Sequence, residues 1–202
     1  MKHQEHILAI DANCIETKGS SLQMISVEVP SSEVIIGQRK KLEQDPRFRQ
    51  IIPYVCLMHD GKIAAYTRTA KGGESRLHGK LSCGFGGHVD LADIEYNPDS
   101  SVVDLTRTIK RAATREMFEE IDLGFEVKES DIEILEQKIV SSESDVDAVH
   151  VGFVAIINVS SQQIKSKEDQ LNVIGFLTAA EILEYPEIEN WTRGLVAFLS
   201  KS

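Results

Sequence analysis

The sequence predicts an α+β fold: a mixed β-sheet with one long helix, one closing helix and a small β-containing extension in front. Three observations carry this. From residue 51 onward, short apolar stretches recur between polar turns, as strands of a half-buried sheet do. One long helical pattern runs over 101–121. A second amphipathic pattern, 189–199, closes the chain with Trp191, Leu195 and Phe198 on its apolar face.

In chain order, 6–10 and 22–29 read as strands, with a Lys18-Gly19-Ser20-Ser21 turn between them. Residues 34–43 read as a short helix, and Asp45-Pro46 as a connection. Residues 1–45 are therefore expected to form a separate hairpin-like arm, and 46–202 the main domain. The arm needs a surface to bury its apolar strands, either the main domain or a second copy in a homodimer.

Residues 51–58 form a strongly apolar strand, and 63–68 the strand returning from the Asp60-Gly61 turn. A polar, glycine-containing loop covers 69–78, and 81–89 leads into the Gly-Gly segment. Asn97-Pro98-Asp99 marks a turn, and Ser101-Val102-Val103-Asp104 has the form of a capping box, which sets the helix start near Ser101. Residues 132–140, 148–159 and 172–177 follow as strands, and Thr178 caps a short helix.

Composition narrows the chemistry. The net charge of −10 argues against a nucleic-acid backbone as partner, since that binding rests on Lys and Arg. No apolar run approaches the ~20 residues of a membrane span, and the first residues lack a signal-peptide pattern. Three cysteines without Cys-x-x-Cys spacing favour reduced thiols over a disulfide frame, and so a cytoplasmic setting.

The most informative stretch is Arg115-Glu116-Met117-Phe118-Glu119-Glu120. On an ideal helix, Glu116, Glu119 and Glu120 share an arc of about 100° with Val102, Leu105, Ile109, Ala112 and Ala113. A core stripe thus ends in three carboxylates, where a solvated charge run would lie on the opposite face. Clustered carboxylates repel and are costly to desolvate unless something positive lies between them. A divalent cation with a preference for oxygen ligands meets that need. The alternative is an exposed acidic turn with Arg115 as its surface partner.

Upstream lies Gly84-Phe85-Gly86-Gly87-His88-Val89-Asp90. Gly-Gly-His-Val-acid ahead of Arg-Glu-Met-Phe-Glu-Glu resembles the Nudix hydrolase family. Its box reads G-x5-E-x7-R-E-U-x-E-E-x-G-U, with U a bulky aliphatic, and Leu123 falls on the last U. Counted back from Arg115, the position of the first box glutamate holds Arg107, and Asp122 replaces the last glycine. The step from Gly87 to Arg115 is 28 positions, where the box takes 14, so 14 residues are extra. They are expected as a surface loop after Asp90 and a lengthened helix front.

The resemblance implies an α/β/α sandwich and a pyrophosphohydrolase of small phosphorylated compounds of the nucleoside diphosphate type. It implies Mg²⁺ or Mn²⁺ on Glu116, Glu119 and Glu120, with Arg115 orienting these carboxylates. Gly86 and Gly87 would let the backbone approach the helix. Arg68, Arg76 and Lys80 are the local cations for a substrate phosphate. Glu143, Asp145 and Asp147 are candidate general bases, and His88 and His150 candidate neighbours of the site. Arg107 and the insertion motivate a second reading, a Nudix-fold nucleotide-binding or sensor protein without turnover.

Overall fold

The computed structural model describes residues 5–70, 77–167, 169 and 171–201. The chain runs β1 (His6–Asp11), β2 (Gln23–Ser26), β3 (Val34–Gln38), α1 (Arg39–Leu42), β4 (Phe48–His59), β5 (Lys62–Arg68) and β6 (Leu81–Ser82). It continues through α2 (Leu105–Glu120), β7 (Ile121–Asp122), β8 (Ile132–Val140), α3 (Asp145–Ala148) and β9 (His150–Asn158). β10 (Lys165–Ser166), β11 (Leu171–Leu177), α4 (Ala179–Leu183) and α5 (Asn190–Leu199) complete it.

The central sheet has the order β11-β5-β4-β9-β8-β2, and β1, β3 and β6 pair off this path. β4 and β9 are parallel from Gln50↔His150 to Met58↔Asn158, and the other pairs are antiparallel, so the sheet is mixed. Alternation along β4 divides the core. Val55 and Leu57 pack with Ala113 and Met117 of α2, whereas Tyr54 and Cys56 pack with Trp191, Leu195 and Val196 of α5. The result is the expected sandwich, with α2 on one face and α5 on the other.

The arm read from the first 45 residues adds strands to this sheet. β1 pairs with β3 and with β4, and Leu8 N–H donates to Val89 O at 2.9 Å. Ile7, Leu8, Ala9 and Ile10 are fully buried. β2 pairs with β8 from Gln23↔Val140 to Ser26↔Gln137.

Several boundaries differ from the sequence reading. Residues 34–43 are not one helix: Val34, Ile35 and Ile36 pair with β1, as β-branched residues offered an open strand edge do, and a single helical turn follows. The helix α2 starts three residues later than Ser101-Asp104 suggested. Asp104 itself is the cap, accepting from Arg107 N–H at 3.0 Å, while Val103 bridges to Tyr96. The stretch that leads into the glycines holds a two-residue strand, Leu81–Ser82, and beyond it the bridge of Phe85 to Val55. The link at 141–147 contains α3, capped by the Ser144 hydroxyl.

Candidate active site

The glycine segment and the end of α2 meet along one seam. A Cβ at Gly86 would stand 1.9 Å from Pro53 O, so only glycine lets this strand run against β4. A Cβ at Gly87 would stand 2.4 Å from Glu116 Oε2, so the missing side chain is what admits that carboxylate. Gly84 lies on the ring of Tyr54, and its carbonyl accepts from Tyr66 Oη at 2.6 Å.

Arg115 organises the seam. Its Nε and Nη2 donate to both oxygens of Asp93, at 3.0 and 2.7 Å, a fork-to-fork pair. Nη2 also donates to His88 O at 2.9 Å, and Nη1 to Glu116 Oε1 at 2.8 Å and Glu119 Oε1 at 3.3 Å. Asp93 most of all, and Glu116, raise the pKa of the guanidinium further, against the effect of burial. Burial pushes the Glu116 carboxyl up; Arg115 opposes this, and the charges of Glu119 and Asp93 add to it. Glu119 is 56% exposed at its side chain. Glu120 lies toward Tyr66, where burial raises the phenol pKa and the charges of Glu120 and Glu189 add to the rise.

Asp93 corrects the placing of the insertion. Counted forward from Gly87, the first acid of the box falls on Asp93, and the extra residues lie between it and Arg115. Leu91–Asp93 is a 3-10 turn in which the Asp90 carboxylate caps Ala92 N–H, and Asp93 is only 2% exposed. The stretch after Asp90 is therefore not all surface loop, because its third residue is the buried partner of Arg115. Arg107 leaves no acid missing; it pairs with Glu95, as does Arg111.

A cavity of about 1230 Å³ opens over this seam. Of the site residues read from sequence, Arg68, Gly86, Gly87, Arg115, Glu116 and Glu119 line it, with Lys80, His88, Glu143, Asp147 and His150; Glu120 and Asp145 do not. Arg76 lies outside the described residues. Six acids (Glu5, Glu116, Glu119, Glu143, Asp147, Glu189) face four cations (Arg39, Arg68, Lys80, Arg115) across the described lining. An anionic substrate would meet a repulsive field there unless a cation joined it. Among the described residues, no three His, Cys, Asp or Glu side chains are already grouped to hold a metal.

The two histidines pack edge to face, with centroids 5.6 Å apart. His88 Nε2 lies 3.0 Å from Gln50 Oε1. Burial, helped by Arg39, His150 and Arg115, lowers its pKa to about 2, so it is neutral and cannot serve as an acid near neutral pH. The loop carrying Glu143 and Asp147 is held by Arg49, whose Nη1 donates to the carbonyls of Ser141, Asp147 and His150 at 3.1, 3.3 and 3.2 Å. Asn190 donates to Glu143 and Ser144 to Asp147, which fixes both acids at the cavity wall. Cys56 and Cys83 are fully buried together in the core on the α5 side of the sheet.

No family model matches the chain. Protein YmaB of Bacillus subtilis is 31% identical to it over 166 residues, covering 80% of this chain and 76% of that protein. The structure of Tm1382, described as a candidate Nudix hydrolase, aligns over 98% of this chain and 99% of its own, with a TM-score of 0.73 and 23% identity. A MutT/nudix family protein from Enterococcus faecalis aligns over 76% of this chain and 61% of its own, with a TM-score of 0.50 and 12% identity. The chain is a Nudix-fold protein of the YmaB family.

For this family member, the residues that sequence reading missed are Asp93, Arg39, Glu189 and Trp191, the last three as cavity-lining groups. Asp93 was reachable by counting forward from Gly87 instead of back from Arg115. Arg39 had no sequence signal, because pairing of β3 with β1 is what carries it to the cavity. Among the described residues, no helix is long and apolar enough to cross a membrane.

Proposed function

We propose that the protein is a divalent-metal-dependent hydrolase that splits a diphosphate linkage in a nucleoside-diphosphate-type compound. The observation that carries this reading is the seam where Glu116 packs against Gly87 and Arg115 spans Asp93, Glu116 and Glu119, at the wall of a large cavity. Such a seam concentrates carboxylate oxygens beside backbone with no side chain in the way. That donor set suits Mg²⁺ or Mn²⁺, which take oxygen ligands. Glu116, Glu119 and Glu120 are the residues that would hold the ion. When bound, the ion supplies charge neutralisation of the diphosphate and a more acidic water.

The chain's own groups do the rest. Arg115, anchored by Asp93, orients Glu116 and Glu119. Arg68, Lys80 and Arg39, which line the cavity, would meet phosphate oxygens, while Gly86 and Gly87 let Pro53 O and the Glu116 carboxylate come close. Glu143 or Asp147, both fixed on the 141–150 loop, takes the proton of the attacking water. His88, being neutral, orients by hydrogen bonding and carries no charge to the site.

The test has two arms. Millimolar Mg²⁺ or Mn²⁺ is expected to raise the melting temperature of the wild type by mass action, and much less that of Glu116→Gln, Glu119→Gln or Glu120→Gln. Cleavage of nucleoside diphosphate sugars, dinucleoside polyphosphates and nucleotides into their phosphorylated products should require the metal and fall steeply in the variants. A second reading, a Nudix-fold nucleotide-binding protein without turnover, draws on Glu120, which lies toward Tyr66 and outside the cavity lining. Nucleotide binding without metal-dependent cleavage selects it. Absence of both a metal-dependent shift and metal-dependent cleavage would remove the enzyme reading.

A further inference from the structure

We propose that Glu189 sets substrate specificity: its Oε1 accepts a hydrogen bond from an amino group on the substrate's planar base. The inference rests on the cavity binding a nucleoside-diphosphate-type compound, and adds which end of that compound is read and by what.

Glu189 is held from two sides. Its backbone N–H donates to Leu81 O at 2.9 Å, and Leu81 N–H donates to Glu187 O at 2.7 Å, so β6 grips the chain on both sides of Ile188. Its side chain is gripped at one oxygen. Oε2 is within hydrogen-bond distance of Tyr54 Oη at 3.0 Å, of Thr192 Oγ1 at 3.1 Å and of the Ser82 hydroxyl. Thr192 Oγ1 in turn accepts Cys83 N–H at 3.0 Å and shares a proton with Tyr54 Oη at 2.8 Å. Tyr54, Ser82 and Thr192 are all buried, so this is a fixed mount and not a solvated cluster.

The other oxygen has no partner among the described residues. Oε1 accepts from no described residue, and Glu189 has no ion-pair partner among them, yet the residue lines the cavity. A carboxylate offers acceptors and no donors, so a ligand group meeting Oε1 must bring an N–H or O–H. The surroundings choose between these. Ile188, Trp191, Tyr54 and Leu77 line the same cavity, and Tyr54 and Trp191 meet edge to face with centroids 5.6 Å apart. Apolar and aromatic walls suit the face of a heteroaromatic ring better than a hydrated sugar, and on such a ring the donor is an amino group.

The geometry also fixes what a substitution does. In Glu189→Gln, the hydroxyls that crowd Oε2 need an acceptor there, so the amide oxygen takes that place and the amide NH₂ takes the place of Oε1. The acceptor offered to the base becomes a donor. The preference should therefore reverse, from an amino group to a carbonyl.

The experiment is calorimetric titration of the full chain with three nucleoside monophosphates that differ at one position of the purine ring: adenosine (amino), purine riboside (hydrogen) and inosine (carbonyl). Cytidine and uridine monophosphates form a parallel pyrimidine pair. The wild type should bind the amino member of a series about tenfold or more tighter than its partner, as a hydrogen bond to a carboxylate permits. Glu189→Gln should lose that preference and favour the carbonyl member. Ser82→Ala, which loosens the mount and keeps the carboxylate, should weaken the preference without reversing it, and stands in should the Gln variant not fold. Equal affinities within both series in the wild type, an unchanged preference in Glu189→Gln, or no binding of any of these nucleotides would overturn the proposal. Failure of the hydrolase reading appears separately, as absent metal-dependent cleavage of the corresponding diphosphate compounds.

Discussion

At the residue scale, the pair Asp93–Arg115 carries the most weight. Asp93 is almost fully buried and takes both arms of the Arg115 fork. In Asp93→Asn one of those acceptors becomes a donor facing a guanidinium, while Arg115 keeps its other contacts and part of its exposure. A loss of about 2 kcal/mol is expected in urea unfolding. Glu116 and Glu119 should lose orientation with it, so metal-dependent stabilisation should shrink as well. Full wild-type stability in Asp93→Asn would refute the pairing. His88 supplies a pH dependence. Burial depresses its folded-state pKa to about 2, below the roughly 6.5 of an unfolded chain. The stability it contributes is present above that unfolded value and is lost as pH falls toward the folded one. The loss runs at about 1.4 kcal/mol per pH unit. Comparing denaturation midpoints of wild type and His88→Gln between pH 7 and pH 4 should show a shallower decline in the variant; equal slopes would mean that His88 protonates as readily folded as unfolded.

At the scale of elements, α2 and the 141–150 loop do different work. The helix spans 16 residues, about 24 Å, and begins where Asp104 takes up a free N–H. The loop has few apolar residues of its own and depends on Arg49, which reaches it from β4. Three carbonyls and the Ser142 hydroxyl, at 3.1 Å, accept from that one buried guanidinium. Burial pushes the guanidinium pKa down, which measures how costly the arrangement is to make without an acid beside it. Arg49→Met keeps the apolar stem and removes the donors. Amide hydrogen exchange should then speed up across 142–149, while β4 and β9 stay protected, and kcat for a hydrolysed substrate should fall as the base on the loop loses its position. Unchanged exchange in the loop would show that α3 and its Ser144 cap hold it alone.

At the scale of the whole molecule, β1, β2 and β3 belong to the same sheet as the strands that follow. β1 buries Ile7, Leu8 and Ile10 completely and closes β4 and the 84–90 segment from one side. Each such side chain is worth about 1.5–3 kcal/mol, against the roughly 5–15 kcal/mol that holds a domain folded. A chain starting at Arg47 should therefore not unfold cooperatively in a calorimetric scan, and should expose Val89, Ile109 and Ala112, which pack beneath β1. A sharp transition at the wild-type temperature would make the extension a dispensable arm after all.

The sequence alone determined the strand and helix alternation after residue 51, the α+β class and the acidic turn of α2. Each of these is written in local periodicity, and periodicity survives without any partner. It also contained Asp93 in register with Gly87, although a long insertion hid it from a count made backwards. Tertiary structure decided what is not local. Val34, Ile35 and Ile36 became a strand because β1 offered an edge, and Arg39 reached the cavity through that pairing. Tyr54, Ser82, Glu189 and Thr192 lie up to 138 positions apart, yet they share one hydrogen-bonded cluster. No spacing rule connects them, because a buried hydroxyl finds its acceptor in space and not along the chain.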